Sequence, residues 1–85
     1  MVAAPQSAPR SQRRRQRMGD AAVLARVLAI QAEMYQIVTT VEGMKALNAW
    51  REMRGEAQAY GEESFVAQAN SLGYVAEALR EVARG

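Results

Sequence analysis

Residues 20–47 read DAAVLARVLAIQAEMYQIVTTVEGMKAL, and the spacing of their apolar side chains decides the fold. Steps of 4 and 3 residues alternate along this stretch, which is the spacing that places side chains on one face of an α-helix. The pattern predicts a helix with an apolar seam formed by Val23, Val27, Ile30, Met34, Ile37, Val41 and Met44. Further apolar residues widen the seam, namely Leu24, Leu28, Tyr35, Val38 and Leu47.

The first helix is predicted to begin at Asp20, directly after Gly19. An aspartate at that position can accept hydrogen bonds from the free N–H groups of the first turn and complements the helix dipole. We therefore expect the helix to span about residues 20–54, with an extension to about residue 60 left open.

The regular spacing changes in the second half of this helix. Asn48 stands where the next apolar residue should lie, and the apolar positions shift to Leu47, Trp50 and Met53. The β-branched run at 37–41 also precedes Gly43, a weak helix former. These features predict a change of phase near Gly43 and a bend within residues 39–44, with Trp50 continuing the packing surface.

A second helix is predicted for about residues 62–84. Gly61 suits a left-handed position that ends the first helix, and Glu62 and Glu63 suit the first turn of the next. Its apolar face is predicted to contain Phe65, Ala69, Leu72, Ala76, Leu79 and Ala83. A short connection between long helices favours an antiparallel hairpin, so the predicted fold is all-α.

The aromatic residues near the predicted turn allow two interpretations. Trp50, Met53, Tyr60 and Phe65 lie close to it in the sequence. Such a cluster more often closes one end of a hairpin as a hydrophobic plug. The same residue types are also favoured anchors of protein interfaces, so an interface patch stays open as the alternative.

Residues 1–19 differ in composition from the rest of the chain. They contain prolines, serines and glutamines, no acidic residue, and the five arginines Arg10, Arg13, Arg14, Arg15 and Arg17. The segment therefore carries +5, whereas residues 20–85 carry six basic and nine acidic side chains and a charge of −3. Too few apolar groups are present to compensate the entropy of ordering. The sequence predicts an extended basic arm joined to a mildly acidic helical body.

The arginines of the arm allow three interpretations. Guanidinium groups form paired hydrogen bonds with phosphates and carboxylates, so the arm could neutralise a nucleic-acid backbone without reading its sequence. It could equally bind an acidic groove on a protein. A segment rich in Arg, Ala and Ser is also typical of a mitochondrial targeting sequence, although two prolines disfavour this, and an inert tail is the remaining alternative.

The residue types required by most catalytic sites are missing. The chain contains neither histidine nor cysteine, which excludes the usual nucleophile triads, thiol catalysis and zinc sites. Glu52 and Glu56 are four residues apart, but a helical hairpin seldom provides the closed cleft that paired catalytic carboxylates need. The sequence therefore predicts a protein that is not an enzyme, with no cofactor, metal ion or small-molecule substrate.

Size and hydropathy indicate that the chain has a partner. An 85-residue chain with a long tail builds only a marginal core, so a larger protein assembly or homo-oligomer is expected to stabilise it. No apolar run reaches the roughly 18 residues of a membrane span, because Arg26, Gln31 and Glu33 interrupt the longest one. We expect no membrane span, no secretory signal and a cytoplasmic location.

Residues 51–65, REMRGEAQAYGEESF, resemble short helical proteins encoded by tailed bacteriophages. In those proteins a long helix ends in a similar glycine- and glutamate-containing segment and a second helix follows. The resemblance covers the turn region and implies no catalytic or ligand-binding residue. It implies a virion component or a small accessory protein, located in the virion or in the cytoplasm of the bacterial host.

Two hypotheses about function follow. In the first, the chain is a structural or assembly protein whose apolar seam packs against copies of itself or against a larger shell or tail protein. In the second, it is a small regulator that binds a host protein or nucleic acid through its arginine-rich arm. The hypotheses differ in which part of the chain makes the contact.

Overall fold

The computed structural model describes residues 10–85, apart from the side chain of Met18. Two α-helices account for most of this range: α1 spans Arg10–Met53 and α2 spans Glu62–Arg84. The described residues contain no strand, so the predicted all-α class with two helices is confirmed. The first nine residues of the predicted arm lie outside the described residues.

α1 begins at Arg10, ten residues before the predicted start. The structure therefore places residues 10–19 in a helix, where the sequence predicted an extended arm. Arginine and glutamine dominate this segment and are good helix formers, and no proline follows Pro9. Asp20 consequently lies inside the helix instead of capping it. The prediction underestimated helix propensity because it weighed only the absence of apolar residues.

α1 has no break at residues 39–44, because its helical hydrogen bonding is continuous from Arg10 to Met53. The hydroxyl Oγ1 of Thr40 donates a 2.8 Å hydrogen bond to the carbonyl oxygen of Gln36, one turn earlier. Such back-bonding is a common cause of bending in helices. A Cβ atom added at Gly43 would meet nothing within 4 Å, so this glycine faces open space. The bend within residues 39–44 stays a prediction.

The first helix ends in a hydrogen-bonded glycine turn at Gly55. The N–H of Glu56 donates to the carbonyl of Arg51 at 2.9 Å, and the N–H of Gly55 donates to the carbonyl of Glu52 at 3.0 Å. Gly55 has φ +75°, a left-handed conformation that glycine adopts without steric cost. The sequence assigned this role to Gly61, which instead has φ −92° and ψ −176° and precedes the first turn of α2.

The two helices pack against each other in a hairpin-like arrangement. Among the described side chains of residues 10–85, two apolar ones are buried, Ile30 with 7% and Met44 with 5% of their surface exposed, so the core is small. Val27 of α1 and Leu79 of α2 both line the groove between the helices. The half-buried apolar side chains of α2 are Phe65, Leu72, Val75, Ala76, Ala78 and Val82.

Two alanines of α2 depart from the predicted apolar face. Ala69 and Ala83 are exposed, whereas Gln68 is half-buried in their place. Val75 and Val82 belong to the contact with α1, one position before Ala76 and Ala83. The face of α2 that meets α1 is thus rotated slightly from the face that the alanine spacing indicated.

α1 is much longer than α2, and its N-terminal part projects beyond the contact. Every described side chain from Arg10 to Arg26 is exposed, and Val27 is the first that is half-buried. We call residues 10–26 the overhang and residues 27–53 the paired half of α1. At a rise of 1.5 Å per residue the overhang is about 25 Å long.

Candidate interaction surface

The predicted seam packs largely inside the chain. Ile30 and Met44 are buried against α2, and Val27, Ile37 and Val41 are half-buried. The two remaining seam residues are more open, Val23 with 51% and Met34 with 38% of their surface exposed. α2 therefore already occupies most of the surface that the sequence analysis offered to a partner.

Trp50 lies outside the seam, with 52% of its surface exposed. The guanidinium carbon of Arg54 lies 4.4 Å from the centroid of its ring, a cation–π contact at the surface. Met53 is 86% exposed. The plug interpretation is therefore wrong for Trp50 and Met53, whereas Tyr60 and Phe65 are half-buried at the turn.

Asn48 continues the seam in place of an apolar residue. It retains 8% exposure, and its Nδ2 donates to the carbonyl of Tyr60 at 2.8 Å while its Oδ1 accepts the N–H of Tyr60 at 2.9 Å. Both ends of the buried amide are satisfied, so it attaches the turn to α1. The sequence analysis missed this role and interpreted Asn48 as a change of phase. The sequence spacing could have indicated this buried position, because Asn48 follows Met44 by four residues and precedes the half-buried Arg51 by three.

Arg51 holds the other side of the turn. Its Nε donates to the carbonyl of Ala57 at 2.8 Å and lies 3.8 Å from Oε2 of Glu56. The Nε of Arg54 lies 3.1 Å from Oε1 of the same glutamate. Glu56 is thus paired with two arginines, and its partial exposure makes these surface ion pairs of small energetic weight.

A second line of side chains runs along the outside of α1. Its members recur at steps of 4 and 3, and every one of them is exposed. We call it the outer stripe, formed by Arg10, Arg14, Arg17, Ala21, Leu24, Leu28, Gln31, Tyr35 and Val38. The four large apolar members Leu24, Leu28, Tyr35 and Val38 are 58%, 54%, 59% and 45% exposed. A helix of this length thus presents its α2-facing seam and, beside it, an apolar line without a partner.

The opposite flank of α1 shows that this arrangement is one-sided. At the corresponding positions beyond the seam stand four polar residues and three small ones, all exposed: Arg26, Glu33, Gln36, Thr40, Ala22, Ala29 and Gly43. This flank therefore carries no large apolar side chain, whereas the outer stripe carries four. Isolated exposed leucines need no explanation, but a contiguous apolar line opposite a polar flank indicates an interaction surface.

The groove between the helices opens on the same side as the outer stripe. It has a volume of about 480 Å³, and its walls include Met34, Ala76 and Leu79. Gln31 belongs both to the groove and to the outer stripe. The apolar surface of this side therefore extends from the outer stripe of α1 across the groove to α2.

Four of the five predicted arm arginines share one face of the overhang. Arg10, Arg14 and Arg17 lie in the outer stripe, and Arg13 is adjacent to them on the helix. Arg15 lies on the other side. All five are exposed, and none takes part in an ion pair among residues 10–85. The structure thus turns the predicted flexible cluster into a basic helical face that continues the apolar line.

Two further features of residues 10–85 concern metal binding and membrane spanning. Within residues 10–85 no three His, Cys, Asp or Glu side chains approach closely enough to hold a metal ion. Among the same residues one helix, α1, contains an 18-residue window long and apolar enough to cross a membrane, with mean hydropathy 1.3 and 6% of it buried. The sequence analysis expected no window of this length because Arg26, Gln31 and Glu33 interrupt the apolar residues, and the window passes the length and composition test despite them.

Comparisons of the chain with protein-family models, with curated proteins and with solved structures find no match. The functional interpretation therefore rests on the seam, the outer stripe and the arginine face.

Proposed function

We propose that this chain is a non-enzymatic structural or assembly protein. In this proposal it folds as an antiparallel helical hairpin with a basic N-terminal helix, and its outer stripe packs against copies of itself or a larger protein. The observation that carries the proposal is that the overhang and the apolar line that follows it are both exposed in the isolated chain, with 45% to 59% of the surface of Leu24, Leu28, Tyr35 and Val38 accessible. The surface offered to the partner is the outer stripe, because α2 covers most of the seam.

The energetics of the overhang support a need for a partner. The described side chains of residues 10–26 are all exposed, and the segment carries six arginines that repel one another. Helices shorter than about 12 to 15 residues are marginal in water, and longer isolated ones are only partly formed without an apolar face to bury. A partner that covers the outer stripe would supply that burial at about 25 cal/mol per Å² of apolar surface.

The class of assembly follows from the sequence resemblance. Residues 51–65 resemble short helical proteins of tailed bacteriophages, and in the structure this stretch forms the end of α1, the turn and the start of α2. We therefore propose a small virion component that packs on a shell or tail protein, located in the virion or in the host cytoplasm. The proposal includes no membrane span and no small-molecule substrate.

The proposal is tested by diluting the purified chain. At about 1 µM we expect far-ultraviolet circular dichroism to show loss of helix from the overhang, and at about 100 µM its recovery with a higher melting temperature. In the variant Leu28→Ser/Tyr35→Ser the helix content of the overhang should not recover at about 100 µM. The control Ala29→Ser/Gln36→Ser, which changes the next residue at each position, should keep it. A fully helical monomer with a melting temperature independent of concentration would contradict the proposal.

A second candidate function is binding of nucleic acid or an acidic host protein through the arginine face. The alignment of Arg10, Arg13, Arg14 and Arg17 on one side of the overhang favours it. If four phosphates are contacted, affinity for a DNA duplex should fall about 100-fold between 50 and 200 mM salt. Replacing the five arginines by serine should remove binding. Binding insensitive to salt would exclude this function.

A further inference from the structure

The outer stripe carries apolar residues on both sides of Gln31. Leu24 and Val38 lie seven residues away on either side, and Leu28 and Tyr35 lie three and four residues away. In a contact between two copies related by a two-fold axis, residue i of one copy meets residue j of the other and j meets i, so an antiparallel contact centred on Gln31 would set apolar residues against apolar residues.

We infer that the occupant of the outer stripe is a second copy of this chain, with the two α1 helices antiparallel and crossing at Gln31. This inference rests on the proposed function and names its partner. In this arrangement Leu24 of each copy meets Val38 of the other, and Leu28 meets Tyr35. The four helices together form a bundle in which the groove beside Gln31 is covered.

The charges at the two ends of α1 are complementary in this orientation. The overhang carries the arginines of the stripe at one end, whereas the stripe positions beyond Val38 continue with Glu42, Lys45, Ala49 and Glu52. Between residues 42 and 63 the chain has five acidic and three basic side chains, a net charge of −2. A crossing at Gln31 places Arg10 beside the partner's Glu52. The reverse, parallel orientation would bring two arginine-rich overhangs together and would be disfavoured by repulsion.

One position in this arrangement places like charges near each other. Arg17 would lie beside Lys45 of the other copy. The ammonium of Lys45 lies 3.2 Å from Oε1 of Glu42 in its own chain, so this glutamate stands next to both cations. The local charge is therefore less positive than the pair alone suggests.

The lengths of the helices also agree with a second copy. A crossing at Gln31 places residues 10–26 of one copy along residues 36–52 of the other, which belong to the paired half of α1. Each overhang thus lies on the part of its neighbour that the hairpin contact has already made rigid. The segment whose described side chains are all exposed in a single chain is the segment that the second copy covers.

A lipid surface is less compatible with the arrangement of the charges. Helices that lie on membranes carry their basic residues on the face opposite the apolar one. Here Arg10, Arg14 and Arg17 are in line with Leu24 and Leu28. A membrane contact along the stripe would direct these guanidinium groups toward the hydrocarbon, whereas an antiparallel copy offers them carboxylates.

Cysteine cross-linking of the full chain tests the inference. The chain contains no cysteine, so a single substitution introduces the only thiol. With a short thiol-specific cross-linker, Gln31→Cys should give covalent dimer at about ten times the rate of Gln36→Cys, since a central position meets itself across a two-fold axis. Gln36 is an exposed glutamine on the opposite flank and is the matched control.

A charge exchange tests the orientation independently. Arg10→Glu and Glu52→Arg should each weaken dimerisation about three- to tenfold in sedimentation equilibrium, as expected for the loss of an exposed ion pair repeated by symmetry. The double variant Arg10→Glu/Glu52→Arg should restore it. Arg15→Glu, which makes the same charge change outside the stripe, should have a smaller effect. Failure of the double variant to recover would overturn the antiparallel register.

The remaining outcomes separate this inference from the proposed function. Association without preferential cross-linking at position 31 overturns the inference and leaves a structural role standing. A partly helical monomer at about 100 µM does the same. Monomers that bind vesicles of phosphatidylglycerol overturn it in favour of a lipid surface. A fully helical, stable monomer removes both the inference and the proposed function.

Discussion

The two halves of α1 have the same secondary structure but different reasons to be helical. The paired half is held by burial of Ile30 and Met44 and by the hydrogen bonds between Asn48 and Tyr60. The overhang has only local helix propensity, and its exposed arginines oppose helix formation by repulsion. Packing thus stabilises the paired half within one chain, whereas the stabilisation of the overhang is assigned to the partner that we propose.

The largest effect is expected from breaking the paired half at its most buried aliphatic residue. Ile30→Asp places an unpaired charge at a position with 7% exposure and should reduce the free energy of unfolding by about 3 kcal/mol or more. For so small a core this means loss of a cooperative thermal transition by circular dichroism. Ala32→Asp, at an exposed position of the same helix, should retain the transition. An unchanged melt for Ile30→Asp would show that the seam does not face α2.

The next largest loss of stability is expected at the turn between the helices. Asn48→Ala leaves the N–H and the carbonyl of half-buried Tyr60 without their partner, and should cost about 1 to 3 kcal/mol in the free energy of unfolding measured with urea. Asn70→Ala removes the same side chain from an exposed position of α2 and should cost less than about 0.5 kcal/mol. Equal values for the two variants would mean that the amide does not hold the turn.

Alanine substitutions at the glycines of positions 43 and 55 should change the stability of the chain in opposite directions. Gly55→Ala imposes a left-handed conformation on alanine and should destabilise the chain by about 1 kcal/mol. Gly43→Ala adds a methyl group in open space within a helix and should stabilise it by about 0.5 to 1 kcal/mol. Thermal melts of the two variants make the comparison. Stabilisation by Gly55→Ala would place the end of α1 elsewhere.

The smallest effect is expected from the overhang. Replacing Arg10, Arg13, Arg14, Arg15 and Arg17 by serine should change the unfolding free energy of the paired half by less than about 0.5 kcal/mol, because these residues make no contact with it within one chain. Trp50 fluorescence reports this half locally, since the indole lies beside the turn. A loss above about 1 kcal/mol in dilute, monomeric protein would show that the overhang supports the core.

The sequence predicted the helical class because the 4 and 3 residue steps of the seam determine it, and the half-buried and buried positions follow those steps through Arg51. It missed the continuation through Asn48 because only apolar residues were counted as members of the seam. The glycine that ends α1 was misassigned because Gly55 and Gly61 are equally suitable by type. Only the backbone hydrogen bonds of Glu56 and Gly55 distinguish them.

The candidate surface was less accessible to sequence reasoning. Leu24, Leu28, Tyr35 and Val38 were seen as a widening of the seam, since their separation from it depends on where α2 lies. The alignment of the arginines with these residues required the helix to begin at Arg10, and an arm predicted to be extended has no faces. Trp50 was placed in the packing surface although the structure exposes it.

The buried amide of Asn48 has a consequence for the dimensions of the molecule. A slip of α2 by one heptad would remove Tyr60 from Asn48 and press the amide against aliphatic side chains, so only one alignment of the two helices satisfies it. With that alignment set and α2 ending at Arg84, the reach of the N-terminal helix past its neighbour is a defined distance. The length of the overhang is therefore independent of this contact, and inserting one heptad before Val27 should lengthen the overhang by about 10 Å without altering the hydrogen bonds between Asn48 and Tyr60.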